Sequence, residues 1–92
     1  MRIALGRGRS VEVSDENVAL ANRFATGVTQ KGLGVAFIHD DGTTAAHVGT
    51  ILVPRERVGL LVASVVGAAA RLGVSWQEVV EDPLAIEDDS IH

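Results

Sequence analysis

Cysteine and tyrosine are absent from this 92-residue chain, and its only aromatic residues are Phe24, Phe37 and Trp76. Without thiols the chain has no disulfides, thiolate zinc sites, iron–sulfur clusters or cysteine nucleophiles. Apolar residues still make up 47% of the sequence, so Ala, Val, Leu and Ile must supply most of the core. We therefore expect a closely packed aliphatic core and no redox chemistry.

Long hydrophobic runs are also missing. The longest uncharged stretch, residues 58–70, would rise only about 20 Å as a helix, against the ~30 Å hydrocarbon core of a bilayer. Residues 1–7 are not apolar enough to form the central region of a signal peptide. We therefore expect a cytoplasmic protein that does not enter a membrane.

Basic charge is scarce, and lysine is nearly absent. Twelve acidic residues outnumber eight basic ones, which gives a net charge of −4, and every basic residue except Lys31 is arginine. Together with abundant Ala, Val and Gly, this bias is typical of a GC-rich bacterial or phage genome. A chain of this size buries only somewhat over ~60% of its unfolded surface, so oligomerisation would add stability.

The first third of the chain predicts a hairpin followed by a helix. The β-prone runs 2–5 and 9–13 flank Gly6-Arg7-Gly8, whose glycines suit a tight turn. Ser14 is placed to cap a helix, and the apolar residues from Leu20 to Val28 recur at helical spacing. We expect this helix to end near Gln30.

A second hairpin and a long helix are predicted next. Asp41-Gly42, the strongest hairpin signal in the chain, separates the apolar runs 33–39 and 43–53. Because both faces of the run 33–39 are apolar, we expect a central strand covered on two sides. Pro54 suits the start of a helix over residues 55–72, and Gly73 suits its end.

These elements predict an α+β fold in which two β-hairpin–helix (ββα) units share one sheet. We expect a single domain over residues 1–82. Within it, Ser75-Trp76-Gln77-Glu78 fits a capping box, which predicts a short C-terminal helix that begins at Trp76 and stops before Pro83. Residues 83–92 are expected to form an acidic C-terminal tail.

The sequence predicts neither a catalytic constellation nor a metal site. His39 and His47 are expected on opposite faces of the second hairpin. A one-residue bulge would return them to one face but leave them about 13 Å apart, too far for one ion. No serine lies in a G-x-S-x-G elbow, and Ser14 and Ser75 have capping roles. We therefore expect a non-enzymatic protein without a cofactor.

Three features remain as candidate binding surfaces. Gly59, Ala63 and Gly67 recur every four residues, so one face of the long helix permits close approach by its own sheet or by a second copy. Trp76 suits either a lid over the helix end or an anchor for a partner. Acidic and apolar residues alternate between Glu78 and Asp89, which suits either a solvated terminus or a segment that docks on a basic partner.

These patterns favour a small protein-binding regulator or accessory factor that forms a homodimer. The candidate residues for partner contacts are Gly59, Ala63, Gly67, Trp76, Glu81, Asp82, Leu84 and Ile86. The alternative is a nucleic-acid-binding regulator. It would contact phosphates through the arginine-rich first hairpin, with Arg2, Arg7 and Arg9. The net negative charge and the lack of interleaved aromatic residues disfavour this alternative.

Overall fold

The computed structural model describes residues 1–75 and 81–87. Its fold is a mixture of α and β structure, as predicted, with 3-10 turns at Asp15–Asn17 and Arg55–Arg57. Six strands and one α-helix are present in the described residues: β1 (Arg2–Gly6), β2 (Arg9–Glu12), β3 (Arg23–Val28), β4 (Gly32–Asp40), β5 (Ala45–Pro54), α1 (Val58–Leu72) and β6 (Leu84–Ala85).

The main sheet has the strand order β5-β4-β3-β6, so β4 is a central strand, as predicted. The expected cover on both of its sides is not found in the described residues, where the side chains of β4 are only partly buried. β3, β4 and β5 run antiparallel, and the short β6 runs parallel to β3. The predicted hairpin at Asp41-Gly42 is confirmed. Oδ1 of Asp41 accepts hydrogen bonds from the amides of Thr43 and Thr44, both at 2.9 Å, and Gly42 takes the positive φ of 92° that the turn requires.

The first hairpin is also confirmed, but it does not join the main sheet. β1 and β2 form a separate two-stranded ribbon. Arg7 lies at its tip with a φ of 54°, between two glycines that also have positive φ. The prediction that both hairpins share one sheet is therefore wrong, because β2 ends at Glu12 without pairing to a strand of the main sheet.

The helix predicted between residues 15 and 30 is wrong. Ser14 does cap the segment, through a hydrogen bond from the amide of Glu16 to its Oγ at 3.3 Å, but only the 3-10 turn Asp15–Asn17 follows. Residues 23–28 form β3 instead and pair with β4. Thr26 and Gly27 are poor helix formers, and a strand here satisfies the backbone groups of β4. The structure therefore contains one helix in its described part where two ββα units required two.

The second long helix is confirmed. Pro54 ends β5, the 3-10 turn Arg55–Arg57 follows, and α1 then runs to Leu72. Gly73 adopts a left-handed conformation with a φ of 73°, and its N–H bonds the carbonyls at the helix end, as its position predicted. The predicted short helix beginning at Trp76 falls mainly on residues 76–80, outside the described residues. No helix in the described part is long and apolar enough to span a bilayer.

The expected aliphatic core is missing from the single chain. Among the described residues Ala25 is the only buried hydrophobic one, at 7% exposure. The chain exposes 7843 Å², whereas a compact monomer of 9.6 kDa exposes about 5,100 Å². Its radius of gyration is 15.0 Å, against about 12 Å expected for this length. The chain therefore leaves much apolar surface uncovered that a monomer of this size would bury.

Candidate interaction surface

One side of the main sheet is apolar and uncovered. The pairing of β3, β4 and β5 places Phe24 opposite Phe37, and Ile51 opposite Val35, with their side chains on the same side. We call this side the open face, and its apolar residues are Phe24, Val28, Leu33, Val35, Phe37, Ile51 and Val53.

Three of these side chains are largely exposed, and the other four are partly buried. Phe24 is 52% exposed, Ile51 56% and Val28 90%. The rings of Phe24 and Phe37 meet edge to face, with centroids 5.8 Å apart and planes at 87°. Such a pair contributes about 0.5–1.5 kcal/mol beyond area burial and holds both rings in place. The open face is therefore an organised apolar surface in contact with water.

The opposite side of the sheet, which we call the covered face, is shielded along β3 by the chain's own C-terminal segment. β6 pairs Leu84 with the buried Ala25, and the amide of Ile86 donates to the carbonyl of Thr26 at 2.9 Å. A Cβ at Gly27 would lie 3.1 Å from the Cβ of Ile86, so this side chain rests directly on the glycine. Leu84 and Ile86, two of the predicted partner contacts, thus lie against their own sheet.

Glu81 and Asp82, two further predicted contacts, line a cleft of about 550 Å³ beside the end of β3. Across this cleft Arg23 Nη1 lies 3.4 Å from Asp40 Oδ2. Asn22 closes the sheet edge there: its side-chain amide donates to the carbonyl of Asp40 at 2.7 Å and accepts from the amide of Asp40 at 2.8 Å. The cleft is therefore acidic, with a single guanidinium already held by a carboxylate.

Helix α1 is apolar on every side, with Ser64 and Arg71 as its only polar residues, and none of its residues is buried. In the described part of the chain, and apart from the neighbouring backbone of α1 itself, no atom lies within 4 Å of the position that a Cβ would take at Gly59 or Gly67. The predicted small-residue face, which also includes Ala63, therefore faces open space instead of its own sheet. A helix that is hydrophobic all round is normally buried in a folded protein. Trp76, the remaining predicted contact, lies outside the described residues.

The arginines of the first hairpin lie apart from these surfaces. Arg2 Nε lies 3.9 Å from Glu12 Oε1, on the neighbouring strand. Arg7 at the tip and Arg9 at the start of β2 have no acidic side chain within ion-pair distance in the described part of the chain. The hairpin can therefore present two unpaired guanidinium groups to an anionic ligand.

The two histidines of the second hairpin lie on opposite faces of the sheet, as predicted. His39 pairs with Ala46 and its neighbour Ile38 pairs with His47, so the two histidines occupy successive pairs of a regular ladder and point to opposite sides. His47 Nε2 lies 2.6 Å from Thr50 Oγ1. Among the described residues, no three histidine or acidic side chains gather as metal ligands.

The open face was not predicted from the sequence, because Phe24 and Val28 were assigned to a helix. The spacing of Phe24, Thr26 and Val28 also fits one side of a strand, and Gly27 disfavours a helix interior, so a signal for the strand was present. Comparisons with protein-family models, with curated proteins and with solved structures found no match to this chain.

Proposed function

We propose that this protein is a small, non-enzymatic regulator or accessory factor that forms a homodimer and acts by binding another protein. The observation that carries this proposal is the open face, with Phe24, Val28 and Ile51 each more than half exposed. Contiguous apolar patches of this kind mark surfaces that contact other proteins. The uncovered helix α1 supports the same interpretation.

The apolar character of these surfaces favours binding over catalysis. Catalytic sites need several polar groups that converge on one reacting atom. The open face offers aliphatic and aromatic side chains, and α1 adds only Ser64 and Arg71. The proposed homodimer is tested by light scattering over a concentration series, in which we expect the average mass to be twice that of the chain. A single-chain mass at every concentration would rule out the homodimer.

Binding of a second protein is proposed to use the exposed acidic pair Glu81 and Asp82 at the rim of the cleft. We expect the double variant Glu81→Lys/Asp82→Lys to capture less of a basic partner from host lysate than the unchanged protein does. This variant is preferable to truncation after Pro83, which would also remove β6 from the sheet.

The matched control is Glu16→Lys/Glu56→Lys, which changes the net charge equally at two exposed sites elsewhere. Equal loss of capture in both variants would assign the effect to overall charge. Unchanged capture in the cleft variant would remove Glu81 and Asp82 from the proposal.

Nucleic-acid binding is the second candidate function, and the unpaired Arg7 and Arg9 favour it. Electrostatic binding of this kind weakens steeply as salt rises, because bound counterions are released from the phosphates. We expect any retardation of DNA or RNA to disappear in Arg7→Ala/Arg9→Ala and to persist in the control Arg55→Ala/Arg57→Ala. The absence of retardation at low salt would eliminate this candidate.

A further inference from the structure

The open face and helix α1 match each other in size. β3 has six residues and spans about 20 Å, while α1 has 15 residues and rises about 22 Å. Strands β3 and β5, which flank β4, lie about 10 Å apart, close to the diameter of a helix. One helix laid along the strands therefore has the dimensions needed to cover the face.

The chain's own helix does not provide this cover, because the 3-10 turn that precedes α1 is held at the end of the sheet. The amide of Arg55 donates to the carbonyl of Lys31 at 3.2 Å. Beside it, Gly32 is packed so closely that a Cβ there would lie 2.0 Å from the carbonyl oxygen of Val53. Val58, the first residue of α1, lines a cavity with the open-face residues Val28 and Leu33, and no later residue of α1 lines that cavity. The rest of the helix leaves the open face exposed.

The surface area that the chain leaves exposed fits association with a second copy. Its exposed surface of 7843 Å² exceeds the expectation for a compact monomer by about 2,700 Å². Obligate homodimers bury about 2,000–5,000 Å² in total, or roughly half of that per chain. Burial on that scale, about 1,000–2,500 Å² per chain, would remove much of this excess.

Charge does not oppose this self-association. Thr26 and His39 are the polar residues of β3 and β4 on the side of the open face, neither carries a formal charge at neutral pH when His39 is neutral, and Arg71 is the only charged residue of α1. In a twofold dimer, α1 of each copy would cover the open face of the other, so both uncovered surfaces would be buried at once. An unrelated partner would need one surface that fits the open face and another that fits α1.

Pairing through the free edge of β5 is a less suitable route to a dimer. The register shift between Phe37/Ile38 and Gly49/His47 leaves Val48 as an extra residue on β5. Such a bulge bends the strand and disturbs the regular edge that another strand would need. The open face therefore offers the better interface.

We propose that α1 of a second copy covers the open face, and that this exchange is reciprocal within the homodimer proposed above, on which this inference rests. Each protomer then packs the small-residue side of its helix against the Phe24 and Phe37 rings of the other. Small residues on the helix let it approach the bulky side chains of the sheet closely.

Cysteine cross-linking tests this packing directly, since the chain has no cysteine of its own. A tagged Ile51→Cys chain and an untagged Ala63→Cys chain are refolded together and treated with a short bis-maleimide. We expect a mixed cross-linked dimer. The matched control pairs Thr50→Cys with Ala63→Cys, because Thr50 neighbours Ile51 on β5 but points to the covered face. We expect severalfold less mixed dimer from the control.

Each other outcome identifies a different arrangement and overturns this inference. A single-chain cross-link in the double variant Ile51→Cys/Ala63→Cys would show that the helix closes on its own sheet. Efficient cross-linking of Val48→Cys to itself would show pairing through the β5 edge. A dimer without the Ile51–Ala63 cross-link would leave the proposed homodimer intact and refute only the helix exchange, whereas a monomeric mass throughout would refute both.

Discussion

The two faces of the main sheet differ in how completely the chain covers them. On the covered face Ala25 is buried, and Ile86 rests on Gly27. On the open face Phe24, Val28 and Ile51 remain more than half exposed. Both faces belong to the same hydrogen-bonded strands, so the difference lies in side-chain burial and not in backbone pairing.

This difference shows that backbone pairing alone does not bury a core. The strands satisfy one another's amides and carbonyls along the ladders from β5 to β3. Hydrophobic burial, which supplies most of the free energy of folding, requires a second layer packed on the sheet. Four substitutions, given from the most to the least destabilising, test this difference and the turns that support the sheet.

Gly32→Ala should have the largest effect, because it destroys the junction that holds α1 away from the open face. The new Cβ would meet the carbonyl oxygen of Val53 at 2.0 Å, and the φ of 154° is unfavourable for alanine. We expect a loss of about 3 kcal/mol or more in the free energy of unfolding. Urea denaturation measures it, and an unchanged free energy of unfolding would contradict the close approach of Gly32 to Val53.

Val28→Ser tests whether the open face is covered in solution. Val28 is 90% exposed in the single chain, so its replacement in a monomer should change stability by no more than about 0.5 kcal/mol. If a second copy covers Val28, we expect the variant to lose about 2 kcal/mol in the free energy of unfolding, and this loss should grow with protein concentration. Thermal unfolding at two concentrations distinguishes these results. Leu20→Ser, at an exposed site before β3, is the control and should show little change.

Gly27→Ala probes the covered face. The new Cβ would lie 3.1 Å from the Cβ of Ile86, so the C-terminal segment must shift. We expect a cost of about 1 kcal/mol and faster hydrogen exchange at the amide of Ile86, which now bonds Thr26. Unchanged exchange at Ile86 would contradict the close packing of this segment on the sheet.

Asp41→Asn should have the smallest effect, and it depends on pH. Hydrogen bonds from the amides of Thr44 and Thr43 lower the pKa of Asp41 below its ordinary value of 3.8. The ionised carboxylate therefore stabilises the fold above that value, and the contribution is lost as pH falls through the lowered pKa. We expect the melting temperatures of the unchanged protein and of the Asp41→Asn variant to differ at pH 6. The difference should shrink as the pH falls to the lowered pKa of Asp41. A difference independent of pH would contradict this assignment.

Local chemistry made part of the fold predictable from the sequence. The Asp41-Gly42 turn and the C-cap of α1 at Gly73 depend only on neighbouring residues, and both predictions are confirmed. The strand at residues 23–28 was not predicted, because the spacing of Phe24 and Val28 fits both a helix and a strand. Pairing with β4, which comes later in the sequence, selects the strand. The open face was missed for the same reason. The small-residue side of α1 was predicted from the spacing of Gly59, Ala63 and Gly67, but no local pattern specifies what covers it.

The parallel pairing of β6 with β3 has a consequence for folding kinetics. β3, β4 and β5 follow one another along the chain, so their ladders close short loops and can form early. β6 joins β3 across most of the sequence, which makes its loop-closure entropy larger, and it contributes only two residues to the ladder. We expect β6 to dock last and to detach first, so that the outer edge of β3 opens before the rest of the sheet does.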